Sequence, residues 1–260
     1  MITIDNLVKI EIISTDGDVT VRLSSSSDDV TLTTGSGEGN GFTVTEEGEE
    51  GNEIYYYKIG NSTGVIFLEY NDGVYFIRPF DDESLTMTNL EYLNVKDSTL
   101  TIEGNSSTNS VAISTENFDI VSDANLEILN YSTFNVSDNG TIDGTLLING
   151  TDGVINTAAT AVVTLSGDLS IEEDGIFNNA GSFRQNSTTD DDESIDISSG
   201  EFNNTETSLL NLWGNTHITN SGKLNNNNTS TLNLNTGAIT INEGTFTNEG
   251  TADIKANLTI

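Results

Sequence analysis

Three short segments near the end of the chain share one pattern: GEFNN (200–204), GKLNN (222–226) and GTFTN (244–248). Each begins with a glycine, carries one large apolar residue two positions later and ends with an asparagine. The first residues of the three segments are 22 positions apart. Even spacing of this kind is typical of chains built from stacked structural repeats. The repeat, rather than any catalytic motif, therefore predicts the fold.

The same alignment extends upstream to Gly153 and Gly175, with glycine intervals of 22, 25, 22 and 22. The apolar position holds Ile155 and then Phe177, Phe202, Leu224 and Phe246. The fourth position after the glycine holds Thr157 and then Asn179, Asn204, Asn226 and Asn248. Successive residues at a fixed offset indicate that each apolar side chain lies above the previous one in a single interior column.

Two further apolar pairs occur in most repeats. The later pair is Val163/Leu165, Leu210/Leu212, Leu232/Leu234 and Ile254/Ala256, with Phe183 in the coil after Gly175; the earlier pair is clearest at Ile195/Ile197 and Ile239/Ile241. Each repeat thus contains three short strands, which are stable only when stacked on neighbours about 4.8 Å away. This pattern predicts an all-β fold, a parallel β-helix with three short strands per coil of about 22 residues.

We interpret the repeat glycines Gly175, Gly200, Gly222 and Gly244 as corners at which the chain needs a positive φ. The asparagines are expected at a second corner, where they tolerate the left-handed region and stack their amides along the axis. The one longer interval contains NSTTDDDES (186–194). This polar segment is predicted to be a loop inserted at a corner, which leaves the core unchanged.

We predict two parts: an N-terminal β-rich domain or cap with acidic loops over 1–82, and the parallel β-helix over 83–260. Inward pairs at the start of the helix are Leu85/Met87, Leu93/Val95, Leu100/Ile102, Val111/Ile113, Phe118/Ile120, Leu126/Ile128 and Phe134/Val136. They extend it to roughly seven or eight coils. In the first part, VIFLEYNDGVYFIRPF (65–80) predicts a hairpin around Asn71-Asp72-Gly73, and EEGEEGNE (46–53) predicts an acidic loop.

The chain has 41 acidic and 8 basic side chains, a formal net charge of −33 and no cysteine. Nucleic acid and anionic membranes are poor partners for such a surface, because binding phosphate requires clustered Lys and Arg. Self-repulsion of this size favours a saline, calcium-containing exterior. We therefore expect a secreted or cell-surface protein, or alternatively a virion-surface protein. The start of the chain does not resemble a signal peptide. No apolar run is long enough for membrane insertion.

Site signals are few. The candidate metal ligands are the hard oxygen atoms of Asp190, Asp191, Asp192 and Glu193. Because no recognised calcium-binding loop accompanies them, we expect diffuse binding of calcium. No other cofactor is predicted. We predict no catalytic residue and no enzyme, and the only histidine, His217, is expected to be structural. Trp213 and Tyr55–Tyr57 (the YYY segment) could stack on sugars, or pack at strand edges.

The chain ends in NLTI (257–260), which looks like the first strand of a further coil. An uncovered coil exposes unpaired N–H and C=O groups, so we expect either a longer chain or self-association as a head-to-tail filament or homo-oligomer.

The segment GTFTNEGTADIKANLTI (244–260) resembles repeats of bacterial surface β-solenoids of the filamentous-haemagglutinin and autotransporter adhesin kind. The resemblance covers about residues 130–260 and implies a right-handed β-helix used as an extracellular stalk, fibre or adhesive surface. The expected function is a non-enzymatic structural protein, a rigid acidic solenoid that self-associates into a fibre, surface layer or adhesive stalk. The alternative is a phage or viral tailspike-like β-helix that binds or cleaves polysaccharide, and a glycan or cell-surface ligand is the further partner considered.

Overall fold

A computed structural model describes strand backbone from residue 2 to residue 79, apart from the connections between those strands, and then residues 84–186 and 194–260. Side chains are described for Ile10, 74–79, 84–186 and 194–260. Over these residues the structure is all-β, without a helix that could cross a membrane.

The first eight strands are β1 (Ile2–Ile4), β2 (Leu7–Thr15), β3 (Asp18–Ser25), β4 (Asp28–Thr33), β5 (Phe42–Glu49), β6 (Asn52–Gly60), β7 (Val65–Asn71) and β8 (Val74–Ile77). The next six are β9 (Leu85–Lys96), β10 (Thr99–Ile102), β11 (Val111–Ile120), β12 (Asn125–Ile128), β13 (Ser132–Ile142) and β14 (Thr145–Ile148). The remaining strands are β15 (Val154–Thr157), β16 (Val162–Leu165), β17 (Asp168–Glu172), β18 (Ile176–Asn179), β19 (Ser182–Gln185), β20 (Ser194–Ser198), β21 (Glu201–Asn204), β22 (Leu209–Leu212), β23 (Asn215–Thr219), β24 (Lys223–Asn226), β25 (Thr231–Leu234), β26 (Ala238–Asn242), β27 (Thr245–Asn248), β28 (Thr251–Ile254) and β29 (Asn257–Thr259).

These strands form a parallel β-helix of about eight turns with three strands in each turn, so the predicted fold is confirmed. We call the three strands of one turn a rung. Face 1 contains β15, β18, β21, β24 and β27; face 2 contains β16, β19, β22, β25 and β28; face 3 contains β10, β12, β14, β17, β20, β23, β26 and β29. The longer strands β9, β11 and β13 each continue from face 1 into face 2.

The interior column on face 1 runs through Ile155, Phe177, Phe202, Leu224 and Phe246, which are register partners from rung to rung. The first four are buried, and Phe246 is partly buried. The rings of Phe177 and Phe202 stack with centroids 4.9 Å apart and planes 4° apart, and Phe183 from face 2 meets both edge-on at 5.4 and 5.3 Å. Each fully buried Phe, Leu or Ile contributes about 1.5–3 kcal/mol, so the shared column supplies much of the stability.

The inward pairs of the early coils, from Leu85/Met87 to Phe134/Val136, are all buried. One assignment at the C-terminal end is wrong by two residues. The register places Ala252 and Ile254, rather than Ile254 and Ala256, beneath Leu232 and Leu234. The cause is a shorter bend between faces 1 and 2 in this rung, where residues 249–250 replace the four residues 227–230 of the previous rung.

The repeat glycines do not supply the positive φ that their sequence pattern suggested. The residue before each glycine has it instead: Asp152 (60°), Asp174 (70°), Ser199 (65°), Ser221 (73°) and Glu243 (62°). The glycines are needed because the backbone of the previous rung passes too close for a side chain. A Cβ on Gly222 would lie 2.2 Å from the carbonyl oxygen of Ile197, and one on Gly175 would lie 2.6 Å from that of Ile148.

The repeat asparagines end the face 1 strands, with side chains inside the solenoid. Asn179 donates from Nδ2 to Oδ1 of Asn204 (2.8 Å), Asn204 to Asn226 (2.8 Å) and Asn226 to Asn248 (2.7 Å). We call this row the inner ladder. Asn204 also donates to the carbonyl oxygen of Thr231 (3.0 Å), so the ladder holds the start of each face 2 strand as well as its own neighbours.

Parallel stacking includes three strands that precede residue 83. β1 and β2 pair in parallel with β9, and β8 pairs in parallel with β10. Between β2 and β8, the antiparallel strands β3 and β4 extend face 2, and β7, β6 and β5 extend face 3. The domain boundary at 82/83 stays a prediction. The strand pairing shows that β1, β2 and β8 form the first rung, and that β3 and β7 cover the outer edges of β2 and β8.

Two local predictions in this part have clear outcomes. The hairpin around Asn71-Asp72-Gly73 is formed by β7 and β8 in antiparallel register. Most of the acidic loop predicted over 46–53 is strand, because Glu46–Glu49 belong to β5 and pair with Asn52–Tyr55 of β6. Residues 50–51 of that prediction lie outside the described residues.

Candidate functional site

The candidate metal ligands Asp190, Asp191, Asp192 and Glu193 lie outside the described residues, between the end of β19 and the start of β20. The strands on either side keep their register, since Ile171, Ile197 and Ile218 remain partners across the rungs. The side chains of Tyr55–Tyr57, within β6, are also outside the described part. In the described part, no three His, Cys, Asp or Glu side chains are close enough to hold a metal ion.

His217 lies on the outer surface of face 3, beside Asp196 of the neighbouring rung. Its Nδ1 is 2.8 Å from Oδ1 of Asp196, and both side chains are nearly half exposed. Ser194 donates to the other oxygen of the same carboxylate (2.7 Å). The three groups lie on an open strand surface without an enclosing wall, so the arrangement orients the imidazole but provides no cleft for a substrate. Trp213 is half-buried at the bend between β22 and β23.

The bend between face 1 and face 2, which we call the first corner, changes along the axis. In β9 and β11 it is a single residue between paired positions, Glu91 and Glu116. The register between β11 and β13 shifts at Glu116, whereas the register between β9 and β11 shifts one step earlier, between Ile113 and Thr115. In β13 it is Ser137 and Asp138. In the next rung it becomes the turn 158–161, which projects outward because four residues span the same corner.

This change in corner length produces a step, and a groove of about 390 Å³ lies along it. The turn 158–161 is fixed at one end of the groove by two hydrogen bonds: the N–H of Ala158 donates to the carbonyl of Val136 (2.8 Å), and Oγ1 of Thr160 donates to that of Ser137 (3.0 Å). Asn89, with φ 58°, lies at the other end. The groove therefore crosses four rungs, about 14 Å at the inter-strand spacing.

The walls of the groove are largely uncharged. Its polar side chains are mainly Asn89, Ser114, Glu116, Asn135, Ser137 and Asn156, and apolar atoms come from Leu90, Val136 and Ala158. Glu116 is the one ionisable residue among its lining residues, although the chain carries a net charge of −33. The groove can donate and accept hydrogen bonds, and it offers neither a cation cluster for an anion nor a carboxylate pair for acid–base chemistry.

A second asparagine row crosses the groove on the outer surface of face 1. Asn135 donates to Ser114 (3.3 Å), Asn156 to Asn135 (3.0 Å) and Asn178 to Asn156 (2.9 Å), and the row continues through Asn203 and Asn225. We call it the outer ladder. Its amides donate toward the N-terminal end, whereas those of the inner ladder donate toward the C-terminal end. Their dipoles therefore oppose each other across the same strands.

A second depression, of about 360 Å³, follows the column of positive-φ residues and is bordered by Asp174, Ser199, Ser221, Glu201 and Lys223. Lys223 forms an ion pair with Glu201, and this hydrogen-bonded carboxylate raises the pKa of Lys223. The pair neutralises the one cation at this position, so the depression has no free positive group for an anion.

Sequence reasoning did not single out Asp119, which lies half-buried on face 2. Burial raises the pKa of this carboxyl, and the nearby charge of Asp143 raises it further, against a hydrogen bond from Tyr92 and the charge of Lys96. The folded protein thus binds the proton more tightly than the unfolded chain does, so this group's contribution favours folding in acid and is lost as the pH rises through the raised pKa.

We therefore expect Asp119→Asn to raise the thermal unfolding midpoint at pH 7, with a smaller gain at pH 3.5. Comparing unfolding of the wild type and the variant at both pH values by circular dichroism tests this. Asp143→Asn should give part of the same gain, because it removes the second negative charge. A gain from Asp119→Asn that is larger at pH 3.5 than at pH 7 would contradict the assignment.

The described part is thus a β-solenoid with a stepped groove on its outer surface, and Glu116 is the one ionisable residue among those that line this groove. No protein-family model, curated protein or solved structure matches this chain.

Proposed function

We propose that the chain is a non-enzymatic structural protein of the extracellular space, a rigid acidic solenoid that self-associates to build a fibre, a surface layer or an adhesive stalk. Its relationship to the filamentous-haemagglutinin and autotransporter solenoids, and a location at the cell surface, are parts of the same proposal. The high negative charge and the repeat pattern of 244–260 support both.

The observation that carries the proposal is the difference between the two ends of the stack. At the N-terminal end, the outer edges of β2 and β8 pair with the antiparallel strands β3 and β7. At the other end, no described strand pairs with the far edges of β27, β28 and β29. A row of unpaired backbone groups in strand geometry is a template for further strands.

Apolar side chains accompany these free edges. Ile254 and Leu258 are each 39 % exposed, and Phe246, Ala252 and Ala256 are only partly buried against the core. Full burial of a leucine or isoleucine contributes about 1.5–3 kcal/mol, and covering the exposed 39 % of Ile254 and Leu258 recovers part of that from each, so covering this rung with strands of another copy is favourable. Because β3 and β7 already pair with two of the three edges of the first rung, association of two C-terminal rungs fits this geometry better than head-to-tail stacking. Such a contact closes at a dimer, so growth into a fibre or layer also requires lateral contacts between the solenoids.

Lateral contact between solenoids is opposed by the charge of −33. Salt or divalent cations reduce this repulsion, so calcium is expected to increase any side-by-side association beyond the end-to-end contact. Comparing calcium with sodium chloride at equal ionic strength separates bridging by the cation from simple screening.

The test is light scattering after size-exclusion chromatography, with electron microscopy of the same samples. The wild type is expected to associate in a concentration-dependent way, and the double variant Ile254→Asp/Leu258→Asp to remain monomeric. Val162→Asp is the control, because Val162 is similarly exposed (44 % against 39 %) but lies on the outer surface of face 2. A monomeric wild type at all concentrations, or equal loss of association in the control, would refute the proposal.

A further inference from the structure

We propose that the groove at the first corner binds a neutral, extended glycan chain. This goes beyond the structural role, since the groove lies in the rungs of β9, β11, β13 and β15, whereas self-association is assigned to the rung of β27, β28 and β29.

The first argument is the spacing of hydrogen-bonding groups. Ser114, Asn135 and Asn156 are consecutive members of the outer ladder, so they repeat at the inter-strand distance of about 4.8 Å. A pyranose unit in an extended polysaccharide advances by a comparable distance. Successive sugars can therefore meet equivalent amide and hydroxyl groups on successive rungs, and a ligand of irregular shape cannot.

The second argument is the capacity that the ladder leaves free. An asparagine amide has two N–H donors and two acceptor positions on its oxygen. Asn135 and Asn156 each use one donor and one acceptor within the ladder. Each amide thus retains one donor and one acceptor for a ligand, the combination that sugar hydroxyl groups require.

The third argument is charge. Among the residues that line the groove, Glu116 is the one ionisable side chain, and no Lys or Arg is present. An anionic glycan would meet Glu116 and the repulsion of a chain of net charge −33 without a compensating cation. The chemistry therefore selects neutral over acidic polysaccharides. It also predicts weak binding, because no aromatic side chain lines the groove to stack on a sugar ring.

The groove owes its walls to the corner turn 158–161, which projects beyond the bend at Ser137 and Asp138. Farther along the outer ladder, Asn203 and Asn225 continue the same pattern of hydrogen bonds without lining this groove. The ladder alone is a flat surface, and the step converts four rungs of it into a site that can enclose one face of a chain of sugars.

The test uses NMR of the isotope-labelled full chain titrated with three neutral hexasaccharides, cellohexaose, maltohexaose and mannohexaose, and with hexagalacturonate. At least one neutral probe is expected to shift the side-chain amide signals of Asn135 and Asn156 with a dissociation constant of about 1 mM. Hexagalacturonate is expected to leave them unchanged.

Two variants separate the groove from the rest of the surface. Ser137→Trp fills the groove from an exposed position and should weaken binding by about tenfold or more. Thr229→Trp places the same side chain on the first corner near the other end of the solenoid, where Thr229 is also exposed, and should bind as the wild type does. Both should self-associate normally, which keeps this test independent of the structural proposal.

The inference is overturned if none of the neutral hexasaccharides shifts those signals at about 10 mM, or if Ser137→Trp binds as tightly as Thr229→Trp. Equal binding of hexagalacturonate would also overturn it, since it would show that a groove with Glu116 and no cation does not select against an anionic ligand.

Discussion

Replacing Asn204 by aspartate should destabilise the solenoid by about 3–5 kcal/mol at neutral pH, as expected when a buried polar network is left with an uncompensated charge. Asn204 is fully buried and uses its whole hydrogen-bonding capacity. Its Nδ2 donates to Asn226 and to the carbonyl of Thr231, and its Oδ1 accepts from Asn179 and Ser208. A carboxylate of the same shape keeps both acceptors but turns both donors into lone pairs that face oxygen atoms.

The loss should depend on pH. Burial next to carbonyl oxygens raises the pKa of the introduced carboxyl above its value in the unfolded chain, so the folded form gains protons more readily. Protonation restores one donor. The deficit relative to the wild type is therefore expected to be largest at pH 7 and to shrink as the pH falls toward 4.

Asn225→Asp is the matched control for this experiment. Asn225 lies on β24, the face 1 strand of the next rung, and its replacement changes the net charge equally. It donates to Asn203 at 2.8 Å, but it belongs to the partly exposed outer ladder. We expect it to cost about 1 kcal/mol, the value of one ordinary hydrogen bond. Urea unfolding followed by circular dichroism measures both variants. Equal losses at pH 7 would mean that the inner ladder does not carry the stability assigned to it.

The repeat could be recognised in the sequence because a parallel stack of strands keeps one register over many rungs. Phe177, Phe202 and Leu224 share an offset from their glycines in the sequence for the same reason that they share a column in the fold. Stacking of the asparagines was also predictable. Their second hydrogen bond, to the start of the next face 2 strand, was not, because it depends on how closely two strands approach across a corner.

Corner lengths were the main failure of the sequence interpretation. The pair Ile254/Ala256 was misplaced because the corner 249–250 is two residues shorter than the corner 227–230 of the previous rung, and the corner 180–181 is short in the same way. A signal was present in the sequence: both short corners place a glycine immediately before the face 2 strand, at Gly181 and Gly250. A Cβ on either glycine would lie 2.2 or 2.4 Å from a backbone oxygen of the previous rung.

The groove had no sequence signal of its own. It results from a difference between adjacent corners, a bend of two residues in β13 followed by the turn 158–161, and neither segment is unusual alone. The continuous strands β9 and β11 add to the difficulty, because Glu91 and Glu116 occupy bends that resemble ordinary strand interior in the sequence. Sites formed by irregularity between repeats are therefore found in the structure and missed by periodicity.

Gly222→Ala is the second change with a large expected effect, a loss of roughly 3 kcal/mol, the upper part of the range for overpacking. An added Cβ would lie 2.2 Å from the carbonyl oxygen of Ile197 and 2.9 Å from that of Thr219. Both contacts are to backbone, which is held by strand pairing on each side and cannot move away without breaking ladder hydrogen bonds. Thermal and urea unfolding of the variant measure the loss.

The neighbouring residue supplies the control, because Ser221 has φ 73° and is exposed. A left-handed conformation costs a non-glycine residue about 1–2 kcal/mol, and glycine loses about 0.5–1 kcal/mol more backbone entropy on folding, so Ser221→Gly should be neutral or stabilising by up to about 1.5 kcal/mol. The two substitutions thus separate the reasons for a glycine at this corner. If Gly222→Ala were tolerated, close approach of the previous rung would not explain the repeat glycine. If Ser221→Gly destabilised the protein, relief of a strained φ at Ser221 would not outweigh the entropy that glycine loses on folding. The expected outcome is the opposite: the repeat keeps its glycine because neighbouring rungs leave no room for a side chain, while the strained φ falls on whichever short polar or acidic residue precedes it.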